Sequence, residues 1–194
     1  MTQLPATSAP TVIVLAAGQG QRFRLSGGGM HKLDAPLNGL SVLQRVLQAV
    51  AASGLPYHVV RPEQDVEGDA PGMGDSIARG VRATAQATGW LILPGDLPLV
   101  TSDSLCQVAL NLVSHPVVVP RWNGQPGHPV GFGAACFAAL TALRGDTGAA
   151  SIVRVHRQAG TLLTLHLDDP GIATDIDTLD DLARAEALLA ACHS

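Results

Sequence analysis

The chain has 194 residues, of which 46% are apolar and only 3% aromatic, and its formal net charge is −4. We expect one domain over residues 11–194 behind a disordered tail at residues 1–10. The net charge excludes a basic surface for nucleic acid, and no apolar stretch is long enough to span a membrane. The three cysteines, Cys106, Cys136 and Cys192, lack the spacing of a disulfide framework or a metal site, so we expect reduced thiols in a cytoplasmic protein.

The first predicted element is a buried parallel strand at residues 12–15, followed by a glycine-rich loop. Gly18 and Gly20 let the backbone curl, so that several N–H groups can converge on an anion. Arg22 and Lys32 place positive charge beside them. The loop matches neither the P-loop nor the dinucleotide-binding fingerprint. It suits a nucleotide triphosphate, with a tight turn of no binding function as the alternative.

Strands and helices alternate along the rest of the chain. Further helices are predicted at residues 41–53, 77–88, 102–113, 134–143, 147–157 and 178–191, and further strands at 57–61, 90–94, 116–120, 127–132 and 161–167. This alternation, without an internal repeat, predicts an α/β fold with a doubly wound, mostly parallel sheet and helices on both faces. Such sheets bind their ligands at the carboxyl ends of the strands.

Two aspartates indicate a metal site at this edge of the sheet. Asp96 follows a predicted buried strand in a turn stiffened by glycine and proline, and Asp177 precedes the last predicted helix. Two carboxylates together with phosphate oxygens suit Mg²⁺. The alternative for Asp96 is a turn aspartate that binds no ligand, and the alternative for Asp177 is a helix cap. Asp180 and Asp181 are interpreted as complementing the helix dipole.

Several motifs follow one another in a fixed order. They are Leu-Ala-Ala-Gly-x-Gly-x-Arg at residues 15–22 with Lys32, Gly-Met-Gly-x-Ser at 72–76, Leu-x-Gly-Asp-x-Pro at 93–98, Gly-His-Pro-Val at 127–130, Gly-Asp-Thr-Gly-Ala at 145–149 and Asp-Ile-Asp-Thr at 175–178. This ordered set resembles the MobA-like nucleotidyltransferases, and within them the molybdenum cofactor cytidylyltransferases. The resemblance covers about residues 12–189.

The resemblance implies a single Rossmann-like domain of the nucleotide-diphospho-sugar transferase type. It also implies a reaction in which an acceptor phosphate attacks the α-phosphorus of a nucleotide triphosphate and pyrophosphate leaves. The implied nucleotide-binding residues are Leu15, Ala16, Ala17, Gly18, Gly20, Arg22, Lys32, Gly72, Met73, Gly74 and Ser76. Arg22, Lys32 and Asp96 would be catalytic, Asp96 and Asp177 would hold Mg²⁺, and His128 and Asp146 would face the acceptor.

The resemblance further implies a pterin acceptor, the molybdenum cofactor, and a transient contact with a molybdoenzyme or its chaperone. CTP is the expected nucleotide, because Ala17 adds a methyl group where a purine would crowd the loop. A sugar phosphate, a polyol phosphate or phospholactate is the alternative acceptor. A non-catalytic nucleotide- or cofactor-binding chaperone is the alternative function. An extra serine- and glycine-rich segment at residues 26–29 predicts a longer, more flexible loop before Lys32.

Overall fold

A computed structural model describes residues 9–18, 20–62 and 72–191, which form alternating strands and helices. The strands are β1 (Thr11–Leu15), β2 (Pro36–Leu37), β3 (Leu40–Ser41), β4 (Tyr57–Val60), β5 (Gly89–Pro94), β6 (Val117–Trp122), β7 (Gln125–Pro126), β8 (Val130–Gly133) and β9 (Leu162–His166). The α-helices are α1 (Gln21–Leu25), α2 (Val42–Ser53), α3 (Met73–Ala83), α4 (Ser102–Asn111), α5 (Phe137–Thr141), α6 (Ala150–Gln158) and α7 (Leu179–Ala191). Short 3₁₀ turns occupy Lys32–Asp34, Ala134–Cys136 and Pro170–Ala173.

The main sheet has seven strands in the order β4-β1-β5-β8-β6-β7, with β9 paired to β6. Strands β4 and β5 flank β1 in parallel, and β6 pairs with β9 in parallel. Strand β8 runs antiparallel between β5 and β6, and β7 is antiparallel to β6. The predicted α/β fold with a mostly parallel sheet is therefore confirmed.

Apolar side chains fill both faces of this sheet. In β1, Val12 and Val14 join a core with side chains of α2, α4 and α7, whereas Ile13 points to a second core with side chains of α3, α5 and α6. Strand β5 divides in the same way, with Leu91 and Leu93 on the first side and Trp90 and Ile92 on the second. This alternation at period two explains why the strands are apolar without interruption.

Two backbone hydrogen bonds bring three loops together at the carboxyl edge of the sheet. The N–H of Gly95, just after β5, donates to the carbonyl of Leu15 at the end of β1 (2.9 Å). The N–H of Ile176, from the segment before α7, donates to the carbonyl of Asp96 (2.9 Å). The glycine-rich loop, the turn that carries Asp96 and the segment that carries Asp177 therefore meet at this edge.

Asp169 anchors the segment before α7 from its other end. Its buried carboxylate accepts hydrogen bonds from the N–H of Thr101 (3.1 Å), the hydroxyls of Thr101 and Ser104 (2.8 and 2.6 Å) and the N–H of Gly171 (2.8 Å). A Cβ on Gly171 would lie 2.0 Å from the carbonyl oxygen of Leu99, so only glycine fits here. Both ends of the segment are thus fixed to the sheet edge.

Some predicted boundaries differ from the observed ones. The helix predicted at residues 77–88 begins earlier, at Met73, because Gly72 forms its N-cap and the carboxylate of Asp75 accepts the Gly72 N–H from inside the first turn (3.1 Å). The tail predicted at residues 1–10 is described only for Ala9 and Pro10, which are buried, and Cys192 lies outside the described residues. None of the helices described is long and apolar enough to cross a membrane.

Candidate active site

A cleft of about 1000 Å³ opens at the carboxyl edge of the sheet. The predicted site residues that line it are Leu15, Ala17, Gly18, Gly20, Arg22, Lys32, Gly72, Met73, Ser76, Asp96, His128, Asp146 and Asp177. Ala16 is buried in the core behind the cleft, and Gly74 packs against the loop at residues 144–147. The structure therefore gathers these residues around one cleft, and their roles in binding and catalysis stay predictions.

Lys32, the only lysine of the sequence, lines the cleft and contacts two of its carboxylates. Its Nζ donates to Oδ2 of Asp96 (2.6 Å) and to Oδ1 of Asp177 (2.7 Å), and its side chain is 12% exposed. Burial lowers the pKa of Lys32, but the charges and hydrogen bonds of Asp96 and Asp177 raise it, and the net result lies above its ordinary value. Lys32 is therefore a permanent cation at neutral pH.

Arg22 completes the charged cluster. Its Nη1 donates to Oδ2 of Asp177 (2.5 Å), while 78% of its side chain stays exposed. Helix α1 carries Arg22 to this position, an element that the sequence pattern did not predict. Arg22, Lys32, Asp96 and Asp177 thus form a cluster of two cations and two carboxylates. Because the cluster carries no net charge, it can accept an anionic phosphate together with a cation.

The two carboxylates suit a divalent metal that takes its remaining ligands from a substrate. Oδ1 of Asp96 is buried and has no hydrogen-bond partner within the described residues, so it is free to bind a cation. Mg²⁺ is commonly held by one or two carboxylates together with substrate phosphates. The described ranges contain no group of three or more histidine, cysteine, aspartate and glutamate side chains placed to hold a metal by themselves. The site therefore fits a metal that is shared with phosphate.

His31 fixes the glycine-rich loop, a role that sequence reasoning missed. Its Nδ1 accepts a hydrogen bond from the N–H of Leu33 (3.3 Å), so its Nε2 carries the proton and donates to the carbonyl of Gly18 (2.7 Å). Gly20 has a φ of 61°, a left-handed conformation that favours glycine. The position of His31 directly before Lys32 was the only signal that could have indicated this role.

The extra segment before Lys32 is packed against helix α7 and the core. The hydroxyl of Ser26 accepts the N–H of Leu179 (3.1 Å) and donates to the carbonyl of Phe23 (2.8 Å). Phe23 is buried, and a Cβ on Gly28 would lie only 2.4 Å from its ring. The glycines allow this close packing on Phe23, and the flexibility of the loop stays a prediction. Lys32 follows shortly after this segment and contacts both carboxylates.

His128 lines the cleft together with residues of the segment before α7. Its backbone N–H donates to the carbonyl of Ile172 (2.8 Å), and its Nδ1 is buried without a partner within the described residues. Burial lowers the pKa of His128 below its ordinary value, although the Ile92 carbonyl and the charges of Asp96 and Asp175 act in the opposite direction. The imidazole is therefore neutral at neutral pH and can form a hydrogen bond with a ligand.

Further residues line the cleft that were not chosen from the sequence as site residues. They are Gln21, Leu33, Pro94, Leu97, Pro126, Ile172, Ala173 and Asp175. Asp175 could have been found, because in an extended segment residues two apart point to the same side, and Asp177 was already a candidate. The apolar members lie at strand ends, in 3₁₀ turns and in one loop, and their packing around the cleft is not visible in a local pattern.

Known proteins are similar to this chain in sequence and in fold. Residues 12–161 match the model of the MobA-like NTP transferase domain family. The purine catabolism protein PucB of Bacillus subtilis is 28% identical over 198 residues, which cover 87% of this chain and 92% of PucB.

Solved structures of two further proteins are also similar. Rv0371c of Mycobacterium tuberculosis H37Rv has a TM-score of 0.75 and 25% identity, and the match covers 93% of this chain and 99% of Rv0371c. A complex of Rv0371c with manganese has a TM-score of 0.64 and 23% identity, and that match covers 93% of this chain and 99% of the other. A nucleotidyl transferase from Methanothermobacter shares the fold, with a TM-score of 0.74 and 23% identity over 93% of this chain and 97% of that one. With more than half of its length matched by the family model, the chain belongs to the MobA-like NTP transferase domain family.

Proposed function

We propose that this protein transfers CMP from CTP to the phosphate of the molybdenum cofactor and releases pyrophosphate. The observation that carries the proposal is the cluster of Lys32, Asp96 and Asp177 beside the glycine-rich loop. Membership of a nucleotidyltransferase family supports a nucleotide triphosphate and a phosphorylated acceptor as substrates. The acceptor phosphate is itself the nucleophile, so the reaction needs no nucleophilic side chain.

Charge neutralisation and alignment carry most of the catalysis in this proposal, because the reaction brings two anions together. The backbone N–H groups of the glycine-rich loop would bind the triphosphate, with Lys32 and Arg22 balancing its charge. Asp96 and Asp177 would hold a divalent metal, which we propose to be Mg²⁺. When bound, the metal would act as a Lewis acid on the phosphates. The manganese complex of Rv0371c supports a divalent metal in this fold.

The lining of the cleft supports a large acceptor without further anionic groups. Near His128 the cleft is lined by Pro126, Ile172, Ala173 and Asp175. Arg22 and Lys32 are the only cations among the described residues that line the cleft, and both already face carboxylates. An acceptor with a second acidic group, such as phospholactate, would find no cation in this region. A pterin can be held there by shape and hydrogen bonds instead.

The preference for CTP can be tested through Ala17, which lines the cleft. We expect the wild-type protein to bind CTP about tenfold more tightly than GTP, a difference of about 1.4 kcal/mol. Replacing Ala17→Gly removes the methyl group that would crowd a purine and should narrow this ratio. Calorimetry with both nucleotides and Mg²⁺ measures it.

Ala173→Gly is the matched control, because it deletes the same methyl group elsewhere in the cleft. The control should keep the wild-type ratio. Tighter binding of GTP than of CTP by the wild-type protein would contradict the proposed nucleotide.

A further inference from the structure

Asp75 does not line the cleft, yet its carboxylate joins two segments that do. Its Oδ2 accepts hydrogen bonds from the N–H of Gly72 (3.1 Å) and from the N–H of Gly145 (2.9 Å). Gly72 is the N-cap of α3, on the proposed nucleotide side, and Gly145 directly precedes Asp146, on the proposed acceptor side. A single oxygen atom therefore links the two sides of the cleft.

The two segments also lie backbone against backbone. The N–H of Gly74 donates to the carbonyl of Gly145 (2.8 Å). A Cβ on Gly72 would lie 2.1 Å from the carbonyl carbon of Gly145, and a Cβ on Gly74 would lie 2.5 Å from the carbonyl oxygen of Thr147. At Gly72 and Gly74 no side chain can stand between the segments, so their backbones lie in direct contact and the hydrogen bonds of Gly74 and Asp75 help to set their relative position.

We propose that Asp75 is a positioning residue that holds Asp146 in register with the nucleotide-binding turn. The assignment of the two sides rests on the proposed function, whereas the link between the segments does not. Because one oxygen accepts both N–H groups, the role requires a hydrogen-bond acceptor and not a negative charge. Asparagine offers the same oxygen on a side chain of the same shape.

The test compares Asp75→Leu, which removes the acceptor, with Asp75→Asn, which keeps it. Hydrogen–deuterium exchange measures how strongly residues 143–149 are held in place. Steady-state kinetics with CTP and molybdenum cofactor measures the effect on KM and kcat. In Asp75→Leu we expect exchange in this segment to be at least about fivefold faster. The KM for the cofactor should rise about tenfold and kcat should change less than about threefold.

Asp75→Asn should keep both the exchange rate and the KM close to wild-type values. Asp103→Leu is the matched control, because Asp103 is an exposed acid in the first turn of α4, does not line the cleft, and accepts a hydrogen bond from Gln107 of the same helix. It should leave residues 143–149 unaffected. If Asp75→Leu does not fold, Asp75→Ala removes the same acceptor with a smaller side chain.

Unchanged exchange in folded Asp75→Leu or Asp75→Ala would overturn the proposal. The same would follow if Asp75→Asn behaved like Asp75→Leu, since charge would then matter and not the acceptor. If the wild-type protein does not turn over the cofactor but Asp75→Leu still exchanges faster at residues 143–149, the link stands and only the proposed function fails.

Discussion

An Asp96→Asn variant is expected to lose about a thousandfold in kcat while it keeps the wild-type fold. Oδ2 of Asp96 binds the Lys32 ammonium, and its buried Oδ1 has no partner in the described part of the chain. The amide fills the same volume but removes the negative charge that a divalent metal needs. Steady-state kinetics with Mg²⁺, CTP and molybdenum cofactor, together with thermal unfolding, measures both effects.

Asp168→Asn is the matched control, because Asp168 is exposed and lies outside the cleft. This control should keep the wild-type kcat and melting temperature. If Asp96→Asn also retained its activity, Asp96 would have no place in the proposed metal site. A large loss of melting temperature would instead mean that the residue is needed for folding.

A Lys32→Met variant is expected to change the affinities for nucleotide and metal in opposite directions. CTP binding should weaken about tenfold or more, because the buried cation that faces the phosphates is gone. Binding of Mn²⁺ without nucleotide should become tighter, because Asp96 and Asp177 lose the ammonium that they share. Calorimetry with CTP measures the first effect, and the rise of melting temperature with MnCl₂ measures the second.

A general folding defect would weaken the binding of both CTP and Mn²⁺, so it cannot produce opposite changes in the two affinities. Unchanged binding of CTP and Mn²⁺ would mean that Lys32 is not part of the site.

Local sequence patterns were sufficient to predict the fold class and the position of the candidate site residues at the carboxyl edge of the sheet. The continuous apolar strands β1 and β5, each followed within three residues by glycine, predicted both the buried sheet and the loops at its carboxyl edge. The pairing of these strands in parallel puts Leu15 opposite Pro94, so the glycine-rich loop and Asp96 become neighbours. Simple topology therefore explains that part of the prediction.

The contacts that hold the site in shape were not predictable from local patterns. The role of Asp75 could not be predicted, because nothing near it in the sequence indicates that Gly145 is its second partner. The short helix α1 was missed, because five residues beside glycines give too little periodicity for a helix prediction. The role of Asp169 could not be predicted, because its partners Thr101 and Ser104 lie far away in the sequence, at the start of α4.

The measurement that tests the central claim most directly is Mg²⁺-dependent pyrophosphate release from CTP, GTP, ATP and UTP, with and without molybdenum cofactor. The proposed function predicts release from CTP alone, and only when the cofactor is present. No release from any nucleotide with the cofactor, despite nucleotide binding by calorimetry, would contradict it. A panel of sugar, polyol and lactate phosphates would then separate a different acceptor from a non-catalytic binding protein.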